Sequence, residues 1–124
     1  MESTEAIKKK IARLLVDKGV PPFFLADNIT LENYDEINLY KRDGMIIVDM
    51  YCRDLHTNVP MMFRYKYDMN EVLIRREMTI GGRESLIWDK REEIEGLWAQ
   101  CQGSEERRCQ RNHPVLVTTQ AVMN

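Results

Sequence analysis

The tightest constraint on the fold is a bend at Asp43-Gly44, which joins two runs, Glu36 to Arg42 and Met45 to Arg53, that alternate apolar and polar residues. Alternation at a period of two is the mark of half-buried strands. A two-residue Asp-Gly link favours a hairpin, because both positions tolerate positive φ and the turn matches the twist of the flanking strands. Counting outward from the bend, Arg42 faces Met45, Lys41 faces Ile46, Leu39 faces Val48 and Ile37 faces Met50. Directly opposed residues share a face. Ile37, Leu39, Ile46, Val48, Met50 and Cys52 therefore line one side, and Asn38, Tyr40, Ile47, Asp49 and Tyr51 the other.

The alternation continues to Ile80 and predicts a second pair, Met61 to Tyr67 with Val72 to Ile80, turned at Asp68-Met69-Asn70-Glu71 with Asn70 in the left-handed region. If Tyr67 pairs with Val72, the inner side holds Met61, Phe63, Tyr65, Val72, Ile74 and Met78. The outer side holds Arg64, Lys66, Arg75 and Glu77, with Arg64 opposite Arg75. Arg76 then falls on the apolar side, a costly place for a charge, so this register calls for an exposed strand end or a slip by one. Gly81-Gly82 suits a further hairpin into a short strand from Glu84 to Trp88, with an early helix capped by Ser85 as the alternative.

Helices bracket these strands. Ser3 or Thr4 can cap a helix whose apolar residues Ile7, Ile11, Leu14 and Leu15 recur at helical spacing, and Gly19 with Pro21-Pro22 stops it. Asp89 followed by Glu92 predicts a second start near Lys90, with Ile94, Leu97, Trp98 and Cys101 as its stripe and Gly103 as its end. Gly96 inside that helix suggests a close approach to the sheet. Phe23, Phe24 and Leu25 are expected to pack the chain under the sheet, and Asp54 to Pro60 to form a loop around His56. The class is α+β: an N-terminal helix, an antiparallel meander of four to five strands, and a C-terminal helix packed on one face. Residues 1–103 form a single domain in this reading. Residues 104–124 form a polar, mobile tail, whose Val115-Leu116-Val117 could add a strand to a sheet edge.

A chain of 124 residues with 44% hydrophobic and 31% charged residues has room for one core. Its formal net charge of -2 provides no global pull toward nucleic acid or an anionic membrane. No apolar run approaches the roughly 20 residues that span a bilayer. Three widely spaced cysteines and no secretory leader imply free thiols and a cytoplasmic setting.

Catalytic and metal chemistry find little support. Cys52 and His56 are four residues apart, about 13 Å along an extended strand, and no tight Cys-x2-Cys pair occurs. Cys109 and His113 share that spacing in the polar tail. A nucleophile built from Cys52, His56 and Asp54 or Asp49 is a weaker reading than a buried thiol beside an exposed loop histidine. No cofactor or metal is expected. The lysine run Lys8-Lys9-Lys10 with Arg13 reads as the solvated side of an amphipathic helix.

What stands out is the outer sheet face, where Tyr40, Ile47, Tyr51, Arg53, Arg64, Lys66 and Arg75 project together. Tyrosine and arginine are enriched where proteins dock, and Ile47 has no obvious cover there. The expectation is a small non-enzymatic module that presents a sheet face or edge to a protein partner and self-associates. The competing reading is a single-stranded nucleic-acid binder that stacks bases on tyrosines and neutralises phosphates.

Overall fold

A computed structural model describes the backbone of residues 2–112 and side chains through Gly103. In chain order it has helix α1 (Thr4–Val16), helix α2 (Pro22–Leu25), a 3₁₀ turn (Ala26–Thr30), strands β1 (Tyr34–Arg42), β2 (Met45–Arg53), β3 (Pro60–Tyr67), β4 (Leu73–Ile80) and β5 (Arg83–Asp89), and helix α3 (Lys90–Asn112). This is an α+β fold with an N-terminal helix, a five-stranded antiparallel meander and a C-terminal helix. No helix among the described residues is long and apolar enough to cross a membrane. Contacts divide the chain into two compact units, one from Lys18 to Lys90 and one formed by the chain ends, through Asp17 and from Arg91 onward.

In the unit of the chain ends, the Ser3 side chain accepts a hydrogen bond from the Ala6 amide at 3.2 Å and so caps α1. Ile7 and Ile11 of α1 are buried and pack with Cys101, Ile94, Leu97 and Trp98 of α3. The apolar stripe of the C-terminal helix is thus occupied by the N-terminal helix, which leaves Leu15 exposed at the end of its own helix. The backbone of α3 continues through Gly103 to Asn112, because one glycine costs a helix only about 1 kcal/mol. A Cβ placed on Gly96 would meet no atom within 4 Å, so that glycine does not mark a close approach. Val115-Leu116-Val117 and the end of the expected tail lie outside the described residues.

In the other unit the strand order is β1-β2-β3-β4-β5. The first hairpin has the expected pairs, from Arg42 with Met45 to Ile37 with Met50, and Asp43 and Gly44 take φ of 53° and 74°. Val48, Met50, Tyr67, Leu73 and Leu25 form the buried core of this unit, with Ile37, Ile46, Phe63, Tyr65, Tyr34 and Trp88 packed around it. Leu25 lies in that core, while Phe23 and Phe24, on the other side of a single helical turn, are exposed. The 3₁₀ turn lies over the same face, where Asn28 Nδ2 sits 3.6 Å from Met50 Sδ.

The second hairpin departs from expectation. Tyr67 pairs with Leu73, not Val72, and a bulge at Ile74 shifts the register again, so Lys66 faces Arg75, Tyr65 faces Arg76 and Arg64 faces Glu77. The turn explains the shift. Asp68 Oδ1 accepts from the amides of both Asn70 and Val72, and Glu71, not Asn70, takes the left-handed conformation at φ 63°. Leu73 becomes the core residue of β4 in place of Val72 and Ile74. Arg76 remains on the core face, with its guanidinium 5.4 Å from the centre of the Trp88 ring.

Candidate functional site

The two registers align the second sheet face into rows that cross all five strands. One row reads Tyr40, Ile47, Lys66, Arg75, Asp89, and the next Asn38, Asp49, Arg64, Glu77, Leu86. A third reads Glu36, Tyr51, Met62, Thr79, Glu84. Cations and carboxylates from neighbouring strands therefore lie side by side.

Asp49 is 4% exposed and anchors the middle row. Its Oδ1 accepts from Arg64 Nε at 2.7 Å, and its Oδ2 accepts from Arg64 Nη2 at 3.0 Å and from the Tyr40 hydroxyl at 2.8 Å. This two-pronged pairing holds the Arg64 guanidinium charged at every accessible pH. Burial first and the Asp49 carboxylate second push the Tyr40 phenol up. Glu77 serves the adjoining cations: its Oε2 lies 2.6 Å from Arg75 Nε and 3.3 Å from Lys66 Nζ. Burial alone would raise the Glu77 carboxyl, but the hydrogen bonds from Arg75 and Lys66 outweigh it and hold the group below its ordinary value. Arg75 Nη1 reaches Asp89 Oδ2 at 2.8 Å. Arg64, Lys66 and Arg75 are thus matched by Asp49, Glu77 and Asp89, so the belt formed by the first two rows is balanced in formal charge, while the third row adds Glu36 and Glu84.

Arg53 works elsewhere. Its guanidinium grips Asp35 with two bonds at 3.0 and 3.1 Å and also donates to Asn58 Oδ1 and the Glu32 carbonyl, tying the loop after β2 to the chain before β1. Ile47, expected to lack cover, is 4% exposed and forms part of the packed interior. Arg64 does not oppose Arg75, because the bulge in β4 places Glu77 there. Of the candidate face residues, only Tyr51 is exposed. The sequence places Asp49 and Glu77 on or near this face, whereas it presents Asp89 only as a helix start, and the pairing of all three depends on a register that the turn at Asp68 conceals.

The groups that could support catalysis are held in other roles. Cys52 is buried, and burial followed by the Asp35 charge pushes its thiol up, opposite to what an attacking thiolate needs. Asp54 Oδ1 accepts from the backbone amides of His56 and Thr57 at 2.8 and 2.9 Å, which makes it the organiser of a tight turn. Among the described residues no three His, Cys, Asp or Glu side chains come together as a metal would require. The Cys109 and His113 side chains lie outside that set.

Apolar surface is exposed at the margins of the sheet. Leu39 on β1 is 43% exposed, and Leu86 and Ile87 on β5 are 42% and 44% exposed. An open, shallow depression beside β5 is lined by Arg75, Glu77, Glu84, Ser85 and Leu86. Comparisons with protein-family models, with curated proteins and with solved structures find no match for this chain.

Proposed function

We propose that this protein is a non-enzymatic interaction module that presents an edge of its sheet to a protein partner and associates with itself. The observation that carries this reading is the combination of an open meander, whose outermost strands β1 and β5 each have one strand neighbour among the described residues, with apolar side chains exposed on both. Backbone groups on an outermost strand recruit another strand, and an apolar side chain beside them adds affinity. The neutral belt favours the edge over the face as the contact surface, since cations already bonded to carboxylates have little left to offer a phosphate.

Size-exclusion chromatography with light scattering, run from micromolar to millimolar protein, tests the reading. The mass should rise above the monomer's 14.7 kDa as concentration increases. A monomer throughout that range would overturn self-association. Labelled single-stranded oligonucleotides at low salt should show no polarisation change, whereas binding that weakens steeply with salt would replace this reading with a nucleic-acid one.

A further inference from the structure

We infer that β1 pairs antiparallel with β1 of a second copy of this chain, about a two-fold axis at Leu39. This rests on the edge-presenting reading above and names both the edge and the partner.

The edge follows from the bend at Asp43-Gly44. In a two-residue hairpin the closing pair, here Arg42 and Met45, exchanges both backbone bonds, and alternate residues turn theirs outward. Ile37, Leu39 and Lys41 therefore aim their amides and carbonyls away from β2. The pairing of β1 with β2 is unbroken from Glu36 to Arg42, which leaves a regularly paired seven-residue template. The opposite edge is different: the register of β5 breaks between Leu86 and Trp88, so Ile87 bulges and the regular pairing is divided into a stretch from Arg83 to Leu86 and a short one at Trp88 and Asp89. Bulges are a common means of blunting a sheet edge.

The partner follows from charge. β1 carries Asp35 and Glu36 directly after its first residue, Tyr34, and ends with Lys41 and Arg42. A strand with acid at one end and base at the other complements itself when reversed. A two-fold axis normal to the sheet requires opposed residues to share a face, so the axis must pass through a residue. Centred on Leu39, the pairing sets Glu36 against Arg42, Ile37 against the aliphatic stem of Lys41, Asn38 against Tyr40, and Leu39 against its own copy. All of these lie within the unbroken stretch. Centring on Asn38 would draw in Asp35, where β1 is already irregular and the carboxylate is held by Arg53. Leu39 lies on the same face as Val48 yet is 43% exposed, and a symmetric leucine contact would cover it. One strand pair buries less than the roughly 1,000 Å² of a stable interface, so the dimer should be weak and concentration-dependent.

The test uses the full chain with Cys109 replaced by serine, since Cys52 and Cys101 are buried. In a hydrogen-bonded antiparallel pair the Cα atoms are about 5.5 Å apart, within disulfide range. Leu39→Cys should yield a covalent dimer on mild oxidation, while Tyr40→Cys and Leu86→Cys should not. Glu36→Arg and Arg42→Glu should each weaken the dimer at least tenfold in light scattering, and the double reversal should restore it, with circular dichroism confirming that each variant folds. A dimer that is indifferent to the charge reversals and gives no Leu39→Cys crosslink would overturn the β1 contact and leave self-association to another surface. Crosslinking through Leu86→Cys would likewise move the contact to β5. A monomer at millimolar concentration would overturn both this pairing and the reading beneath it.

Discussion

Asp49 and Arg64 stand directly opposite each other on β2 and β3, joined by two bonds of 2.7 and 3.0 Å, with the Asp49 carboxylate almost wholly shielded from water. A shielded charge with a missing partner is far costlier than a shielded pair replaced by apolar groups. Asp49→Ala should destabilise the protein by about 3–5 kcal/mol in urea unfolding, with Arg64→Met at the lower end of that range. The double variant Asp49→Ala/Arg64→Met should lose clearly less than the two single variants added together. A fully additive double variant would show that the two residues act independently.

Glu77 sets an acid limit on stability. Its folded-state carboxyl lies below the ordinary value of 4.5, so its contribution is present above pH 4.5 and is lost as pH falls through the folded value. The unfolding midpoint should decline across that acid range, and Glu77→Gln should be less stable at neutral pH and show a shallower acid decline.

Tyr67 sets an alkaline limit. Burial, followed by the influence of Tyr65, raises its phenol above 10.0, and its hydroxyl donates to the Val20 carbonyl at 2.7 Å. Its contribution is complete below pH 10 and is lost as pH rises toward the folded value. Tyr67→Phe should lose about 1 kcal/mol at neutral pH through the missing hydrogen bond and should flatten the alkaline decline in thermal melts.

Gly19 sits at φ 74° beside Leu73, whose amide donates to the Lys18 carbonyl at 2.8 Å and fixes the approach of the two segments. A Cβ on Gly19 would lie 2.9 Å from the Leu73 Cβ. Gly19→Ala should cost about 2–4 kcal/mol, combining the left-handed backbone with the clash. In a denaturant cycle, Leu73→Ala should cost somewhat less in that background than in the parent, because it removes the Cδ2 contact at 3.1 Å while keeping the one at Cβ.

Arg76 has its Nε buried with no hydrogen-bond partner among the described residues, and stacking on Trp88 returns only about 1 kcal/mol. Arg76→Met should leave the melting temperature unchanged or raise it by a few degrees. A loss above about 2 kcal/mol would show that the guanidinium does more there than stack.

The legible parts of this fold are those set by short-range chemistry. Asp43-Gly44 settled the first register, Gly81-Gly82 the strand after it, Ser3 the first cap and Asp89-Lys90 the start of α3. The second register escaped because Asp68 bonds two amides across its turn and pushes the left-handed residue to Glu71, a choice that local propensity does not make. That displacement decided the candidate face as well. Shifted pairing turned an apparent row of free cations into matched ion pairs, and the cover over Ile47 is a tertiary property that no pattern on its own strand reveals.

The bulge at Ile87 bears on how far such a molecule could polymerise. Among the described residues one rim of the sheet is interrupted at Ile87 while the other is regular from Glu36 to Arg42, so strand addition has one longer regular stretch on which to begin, and a symmetric union there occupies it. Assembly would halt at two copies, so the same kink that spoils hydrogen bonding on β5 would also guard against runaway fibre formation.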